Sequence, residues 1–246
     1  MRKYLFLISC MAVSLLSSTA HANIVLGGTR LIYPAGEREV TIAVANKGVT
    51  PSLVQSWMDD GKTDSTPENS TAPFVIMPPI TRIEGQASQT LRILFNGTAL
   101  PEDKEYLFWL NVLEIPPVAP DAKDKNNLLL AIQSRIKVFY RPRQVTASLH
   151  DAAKALKWHL LKEAGQWRLI CENDSALHVS FADIQVVQAG KVLGNTDGTH
   201  MVAPGGRETF DLSPHPKASA AGREGNVQFE YINDYGALKT LNAEVQ

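Results

Sequence analysis

The chain has 246 residues, 24 Lys+Arg against 25 Asp+Glu, and a formal net charge of −1. That length suffices for one large or two medium domains, and 44% hydrophobic with 20% charged residues excludes wholesale disorder. The near-neutral balance gives no overall pull towards nucleic acid or an anionic membrane.

The first 22 residues read as a secretory signal peptide. Arg2 and Lys3 make a positive start, Tyr4 to Leu16 is mostly apolar, and Ala20-His21-Ala22 is a small-x-small cleavage site. The apolar run is short for a membrane span. The mature chain is expected to begin at Asn23 and to be soluble outside the cytoplasm. Its removal takes away Cys10, so only Cys171 remains and no intramolecular disulfide is expected. Cys171 sits in the apolar strand WRLICEN and reads as a buried, inert thiol.

From Asn23 onward short alternating runs are separated by Gly, Pro, Asn and Asp clusters, with no convincing helix. Asn23 to Tyr33 reads as a first strand, Glu39 to Asn46 as a second, and Leu53 to Met58 as a third with Trp57 as a core aromatic. Asp59 to Pro73 is polar and loop-like. Phe74 to Met77 is a short strand stopped by Pro78-Pro79, and Thr90 to Phe95 alternates again. Glu105 to Ile115 is a long apolar strand with Leu107, Trp109, Asn111 and Leu113 on one face. Val118 to Asn127 reads as a flexible loop.

The next stretch, Leu128 to Pro142, organises the rest. Leu128, Leu130, Ile132, Ser134, Ile136 and Val138 fall on one face of an extended strand, and Leu129, Ala131, Gln133, Arg135, Lys137 and Phe139 on the other. Its N-terminal end is apolar on both faces. It therefore fits the chain's own core, another protein, or both.

About seven strands in the first domain fit an immunoglobulin-like sandwich. Arg141-Pro142-Arg143 is the boundary, because proline ends pairing. The expected organisation is signal peptide 1–22, first domain 23–142 and second domain 143–246. The second half is also all-β. Lys157 to Leu161 and Trp167 to Cys171 form a hairpin around Ala164-Gly165. Val179 to Gln188 follows, then turns at Gly190, Gly194-Asn195 and Asp197-Gly198. Arg207 to Leu212, Asn226 to Ile232 and Leu238 to Val245 complete it.

No catalytic or metal motif accompanies these strands. There is no G-x-S-x-G, no H-E-x-x-H and no paired cysteines, and Gly61-Lys62-Thr63 lacks the upstream glycine of a phosphate loop. His150, His159, His178, His200 and His215 are scattered without ligand spacing and read as surface residues. No cofactor, metal or nucleic acid is expected, and no enzymatic activity.

An ordered set of motifs resembles the periplasmic pilus chaperones of the chaperone–usher pathway. Ile136-Lys137-Val138-Phe139-Tyr140-Arg141-Pro142 is similar to the signature of the last strand of domain one, and Thr29-Arg30 to its partner cation. Gln55-Ser56-Trp57, Pro73-Phe74-Val75 with Pro78-Pro79, Leu91-Arg92-Ile93 and Asn111 to Pro117 follow in order. So do Met201-Val202-Ala203-Pro204 and Tyr231-Ile232-Asn233-Asp234-Tyr235-Gly236-Ala237. The set covers essentially the whole chain after the leader. Asn173-Asp174-Ser175-Ala176 departs from the family's Asn-Pro-Thr-Pro, and the disulfide that some members carry in domain two is absent.

The resemblance implies two immunoglobulin-like β-sandwich domains in a boomerang with a cleft between them. It implies a periplasmic chaperone that lends a strand to incomplete pilus subunits and passes them to an outer-membrane usher. Leu128, Leu130 and Ile132 would be the lent side chains, worth roughly 1.5–3 kcal/mol each on burial. Arg30 and Lys137 would anchor the subunit's C-terminal carboxylate. Glu105, Arg141 and Asp234 would form an interdomain ion network. Lys137 has the opposite parity to the lent residues, so twist, a bulge or a reaching side chain must reconcile them. A free chaperone exposing such a strand would be prone to cap itself as a homodimer. The other reading is an adhesive or structural pilus protein, a subunit or lectin; a subunit would lack a strand and carry an alternating N-terminal extension.

Overall fold

The computed structural model describes residues 23–117, 129–163, 165–188, 191–214 and 225–246. In the first half, β1 (Ile24–Leu26), β3 (Val40–Asn46), β7 (Ser88–Phe95) and β5 (Phe74–Met77) form an antiparallel sheet in the order β1-β3-β7-β5. The facing sheet has the order β2-β9-β8-β4-β6, from β2 (Arg30–Pro34), β9 (Ile132–Arg141), β8 (Tyr106–Ile115), β4 (Ser52–Asp59) and β6 (Ile80–Ile83).

The first expected strand is two strands on different sheets. β1 pairs antiparallel with β3, and β2 pairs parallel with β9. The break falls at Gly27-Gly28-Thr29. The Gly27 amide donates to the Ala43 carbonyl at 2.8 Å, and a Cβ at Gly27 would stand 3.3 Å from that oxygen. A residue without a side chain lets the chain hug β3 before it crosses the sandwich. The crossing puts Arg30 at the start of β2, directly opposite Lys137.

The core between these sheets is filled by alternate residues such as Ile42, Val44, Val54, Met58, Leu91, Ile93, Leu110, Val112 and Val138. On β8 the inward row is Phe108, Leu110 and Val112, so the row Leu107, Trp109, Asn111 and Leu113 faces outward. Trp57 is buried but lies outside this core. Its opposite parity to Val54 and Met58 turns it to the outer face, where its indole N–H meets Ser65 Oγ at 3.3 Å. The strand β6, hidden behind Pro78-Pro79 in the sequence, pairs with β4. The loop expected at Val118 to Asn127 lies outside the described residues.

The second half opens on a helix that the alternation pattern does not predict, α1 (Leu149–Lys154). At six residues it is too short for the helical period to stand out. Its signal is Ser148-x-x-Asp151: Ser148 Oγ accepts from the Asp151 amide at 3.1 Å and donates to its carboxylate at 2.6 Å. One sheet is β10 (Lys157–Glu163), β11 (Gln166–Glu172) and β15 (Arg207–Asp211). The other has the order β16-β13-β12-β17-β18, with β14 (His200–Val202) beside β12. Its members are β12 (Val179–Gln188), β13 (Lys191–Asn195), β16 (Ser213–Pro214), β17 (Asn226–Ile232) and β18 (Leu238–Glu244). Gly194-Asn195 is thus strand and not turn; a Cβ on Gly194 would come within 2.9 Å of the Ser213 carbonyl in β16. A second core forms around Trp158, Leu169, Leu177, Phe181, Ile184 and Phe229. Cys171 is fully buried in it, and burial, with Glu172 and Glu208 nearby, pushes its thiol pKa well up.

The β10–β11 hairpin closes with Glu163 opposite Gln166, and Gly165 has φ +86°. No heavy atom lies within 4 Å of a Cβ built there, so backbone strain alone sets the effect of a side chain. Gly165→Ala is expected to lower stability by about 1–2 kcal/mol, read from urea unfolding midpoints; an unchanged midpoint would show that the turn relaxes.

The turn at 173–176 forms without the expected prolines. The Asn173 side-chain amide donates to the carbonyls of Leu177 (2.8 Å) and Ala203 (3.0 Å), while its Oδ1 accepts from Ser175 N at 3.0 Å. This turn touches the first half, because the Glu105 amide donates to the Ala176 carbonyl at 2.9 Å.

Candidate functional site

Two cations meet where β2 begins. Arg30 and Lys137 are direct neighbours in the parallel β2–β9 ladder. Arg30 is 8% exposed, its Nη1 donates to the Ile232 carbonyl at 3.0 Å, and its Nε is buried without a partner. Its guanidinium stands 5.5 Å from the Phe139 ring centre. Lys137 Nζ reaches Ser180 Oγ at 3.4 Å and stands 5.8 Å from the Trp109 ring centre. Both cations therefore touch the second half of the chain. Among the described residues neither forms an ion pair with a carboxylate.

Burial lowers the Lys137 pKa to about 8, and the neighbouring Arg30 charge adds to the shift. Burial also lowers the Arg30 pKa, partly offset by Asp234 and Glu105. Two largely buried cations side by side, one with an unpaired N–H, make a receptor for an anion.

The strand leading to them has an open edge. β8 pairs with β9 from Ile132 to Tyr140, whereas β2 covers its other edge only from Lys137 to Arg141. Among the described residues, no strand pairs with that second edge between Ile132 and Ile136. Leu129, Leu130 and Ile132 are 50%, 66% and 49% exposed, and Leu128 lies outside the described residues. The β8–β9 register runs without a shift, so no bulge reconciles the parity of Lys137 with that of Ile132. Ile132 shares its row with Ile136, Val138 and Tyr140, which pack into the first core. The exposed apolar row is the core row continued past the end of the core.

Arg141 lies within hydrogen-bonding distance of both Glu105 and Asp234 and joins the two carboxylates. Arg141 Nε and Nη2 donate to Glu105 Oε1 at 3.0 and 2.9 Å, and Nη1 and Nη2 to the two Asp234 oxygens at 2.8 and 2.9 Å. Burial opposes the Arg141 charge, but Asp234 and Glu105 outweigh it and hold its pKa above the ordinary value. The network has a fourth member. His178, expected at the surface, is 8% exposed; its backbone amide and Nδ1 both lie 3.0 Å from Glu105 Oε2. Its ring also packs against Phe139 at 5.5 Å between centres. His200 has a buried Nε2, and His150 Nδ1 meets the Tyr231 hydroxyl at 2.8 Å, so neither is simply solvated. The sequence does not single out Ser180, Ile232 and His178 as site residues, because each serves through a contact between the two halves.

Among the described residues no cluster of side chains could hold a metal, and no helix is long and apolar enough to cross a membrane.

Comparison with known proteins accounts for both halves. Residues 23–146 match "Pili and flagellar-assembly chaperone, PapD N-terminal domain", and residues 151–243 match "Pili assembly chaperone PapD, C-terminal domain". The chain is 37% identical over 243 residues to the probable fimbrial chaperone YadV of Escherichia coli K12, covering 97% of this chain and 95% of that protein. It is 40% identical over 234 residues to the chaperone protein MrkB of Klebsiella pneumoniae, covering 94% and 95%. The crystal structure of YadV superposes with a TM-score of 0.76 at 33% identity, covering 91% of this chain and all of that one. The SafB chaperone of Salmonella enterica, solved in complex with the SafA pilin, superposes with a TM-score of 0.74 at 29% identity, covering 93% and 99%. With both halves matched in order and the two-sandwich architecture shared, the chain belongs to the pilus assembly chaperones of the chaperone–usher pathway.

Proposed function

We propose that this chain captures pilus subunits in the periplasm by donor-strand complementation and delivers them to an outer-membrane usher. The observation that carries this reading is the edge of β9 that no strand covers among the described residues, which ends at two cations without an ion pair among them. A subunit strand laid along that edge parallel to β9 would run into the start of β2 beside Lys137. Its C-terminal carboxylate would then meet Arg30 and Lys137, including the Arg30 Nε that has no partner among the described residues. The parity difficulty dissolves, since the subunit's backbone pairs with the edge while Leu128, Leu130 and Ile132 point into its open core. The SafB–SafA complex supports a pilin as partner.

In this reading residues 1–22 are the leader, residues 23–142 the lending domain and residues 143–246 the second sandwich. Glu105, Arg141 and Asp234, with His178, fix the angle between the two. The cycle involves binding and hand-over and no covalent chemistry. The free chain caps its apolar strand as a homodimer.

The test is co-expression of the chain with a pilin from the same host and capture on a tag. The parent is expected to bring down one smaller partner, and Leu130→Glu to bring down little, because a carboxylate would enter an apolar pocket. Equal capture by both would sink the lent-strand assignment. Light scattering of the two free proteins over a concentration series tests self-capping, which equal masses would exclude.

A further inference from the structure

A third cation stands on the same row as Lys137. Arg135 precedes it by two residues on β9, so both project from the outer face. Both lie against one ring: the Arg135 guanidinium is 4.5 Å and Lys137 Nζ 5.8 Å from the Trp109 centre. They differ in that Arg135 already has a carboxylate. Asp59, at the end of β4 and 1% exposed, accepts from Arg135 Nη2 at 2.5 Å and from Nε at 3.2 Å. Asp59 is itself fixed by the Gly61 amide at 2.6 Å and the Asn111 side chain at 2.5 Å. Gln133 extends the chain by donating to Asn111 Oδ1 at 2.8 Å.

The spacing of two matters. Side chains on a strand alternate, so a slip of one residue turns every apolar group to the wrong face. A slip of two keeps every face and moves the strand by about 6.6 Å, at ~3.3 Å per residue. Burial therefore guards an incoming strand against the first error and only weakly against the second. Arg135 stands at the place where the carboxylate of a strand slipped by two would arrive.

We infer that Asp59 sets the register of the captured strand: by occupying Arg135, it leaves Lys137 on β9, with Arg30 beside it on β2, as the free cationic stop. The inference rests on the carboxylate-anchor reading above. Asp59 touches no ligand and is a positioning residue.

The register can be read with two spin labels. One is placed at Val49→Cys, which is 88% exposed, in a chain carrying Cys10→Ser; Cys171 stays unlabelled in its core. The other sits at the N-terminus of a peptide of about ten alternating valines and threonines with a free C-terminal carboxylate, a length that matches one long strand. The parent is expected to bind this peptide more tightly than its C-terminal amide and to give one distance. Asp59→Asn is expected to add a second distance displaced by two residues, about 6.6 Å along the strand. Asp59→Asn with Arg135→Gln should restore the single distance, and Arg135→Gln alone should keep it, whereas a merely structural role for the pair would disturb the register in Arg135→Gln as well, because that variant strands the buried Asp59. A single, unshifted distance in Asp59→Asn overturns the inference and leaves the anchor standing. Equal binding of acid and amide by the parent overturns the anchor and the inference together. If Asp59→Asn does not fold, Gln133→Arg at an exposed position puts a new cation one step further along the row. It should give a register displaced by about 13 Å, and its failure to do so counts against a cation-set register.

Discussion

Arg141→Ala is expected to cost about 3–5 kcal/mol of stability, the usual consequence of stranding one member of a buried ion pair. The Glu105 side chain is 1% exposed and Arg141 is the one Lys or Arg in direct ion-pair contact with it among the described residues, with His178 supplying the remaining contact. Asp234, at 29% exposure, can turn to water and should contribute less. The loss falls on the join between two separate cores. Unfolding of the variant should therefore split into two transitions, one for each sandwich, where the parent shows one. Urea unfolding followed by tryptophan fluorescence and by circular dichroism measures both effects. Pairing Arg141→Met with Glu105→Leu removes the charges together and should recover much of the stability. A loss below about 1 kcal/mol in the single variant would show that the network behaves as a surface pair.

If Arg30 and Lys137 form the proposed anchor, Lys137→Met is expected to weaken subunit capture by about 2–5 kcal/mol, or roughly 30-fold to several thousand-fold, because the carboxylate would be left with half its receptor. The same change should stabilise the free protein. Burial lowers the Lys137 pKa from its ordinary 10.5 to about 8 in the fold. Between those values the unfolded chain holds the proton that the folded chain has released, so stability rises with pH across that window and levels off above it. Below pH 8 the folded protein carries the charge against its preference. Lys137→Met removes both the burden and the pH slope. Binding runs the other way. A bound carboxylate favours the protonated amine, so affinity is full below about pH 8 and falls by up to about tenfold per pH unit above it. Titration calorimetry from about pH 6.5 to about pH 9.5 on parent and variant, a window that brackets the lowered pKa, reads this. A parent affinity flat across the range would remove Lys137 from the anchor.

The sandwich architecture is legible in the sequence because alternation and turn residues carry it. Val179–Gln188 and Asn226–Ile232 are strands with the bounds their patterns suggest. What escaped has a common physical origin. The split at Gly27-Gly28 is a change of pairing partner, and a strand that changes sheets keeps its alternation. Trp57 and the outer row of β8 look like core because period two finds two faces without saying which is inside. The short helix after Ser148 offers too few residues to show a period.

The site divides in the same way. Arg30, Lys137, Glu105, Arg141 and Asp234 stand out through the family likeness, and the structure gathers them at the junction. Pattern alone would have left each a solvated charge. His178 and Asp59 carried no signal at all, because a lone histidine and an aspartate at a loop edge are common, and only the fold brings Glu105 to one and Arg135 to the other. The exposed row of Leu130 and Ile132 was readable as apolar, but its exposure depends on where the opposing sheet ends.

The buried Cys171 thiol has a practical side. A thiol with no access to solvent and little tendency to ionise neither attacks a disulfide nor pairs with a passing one. The Cys171 thiol, the one cysteine among the described residues, therefore stays indifferent to reductants and oxidants that would reshuffle a disulfide-bearing client. With Cys10 replaced by Ser, capture experiments can be run across a full range of redox buffer, and any dependence on it reports the oxidation state of the subunit.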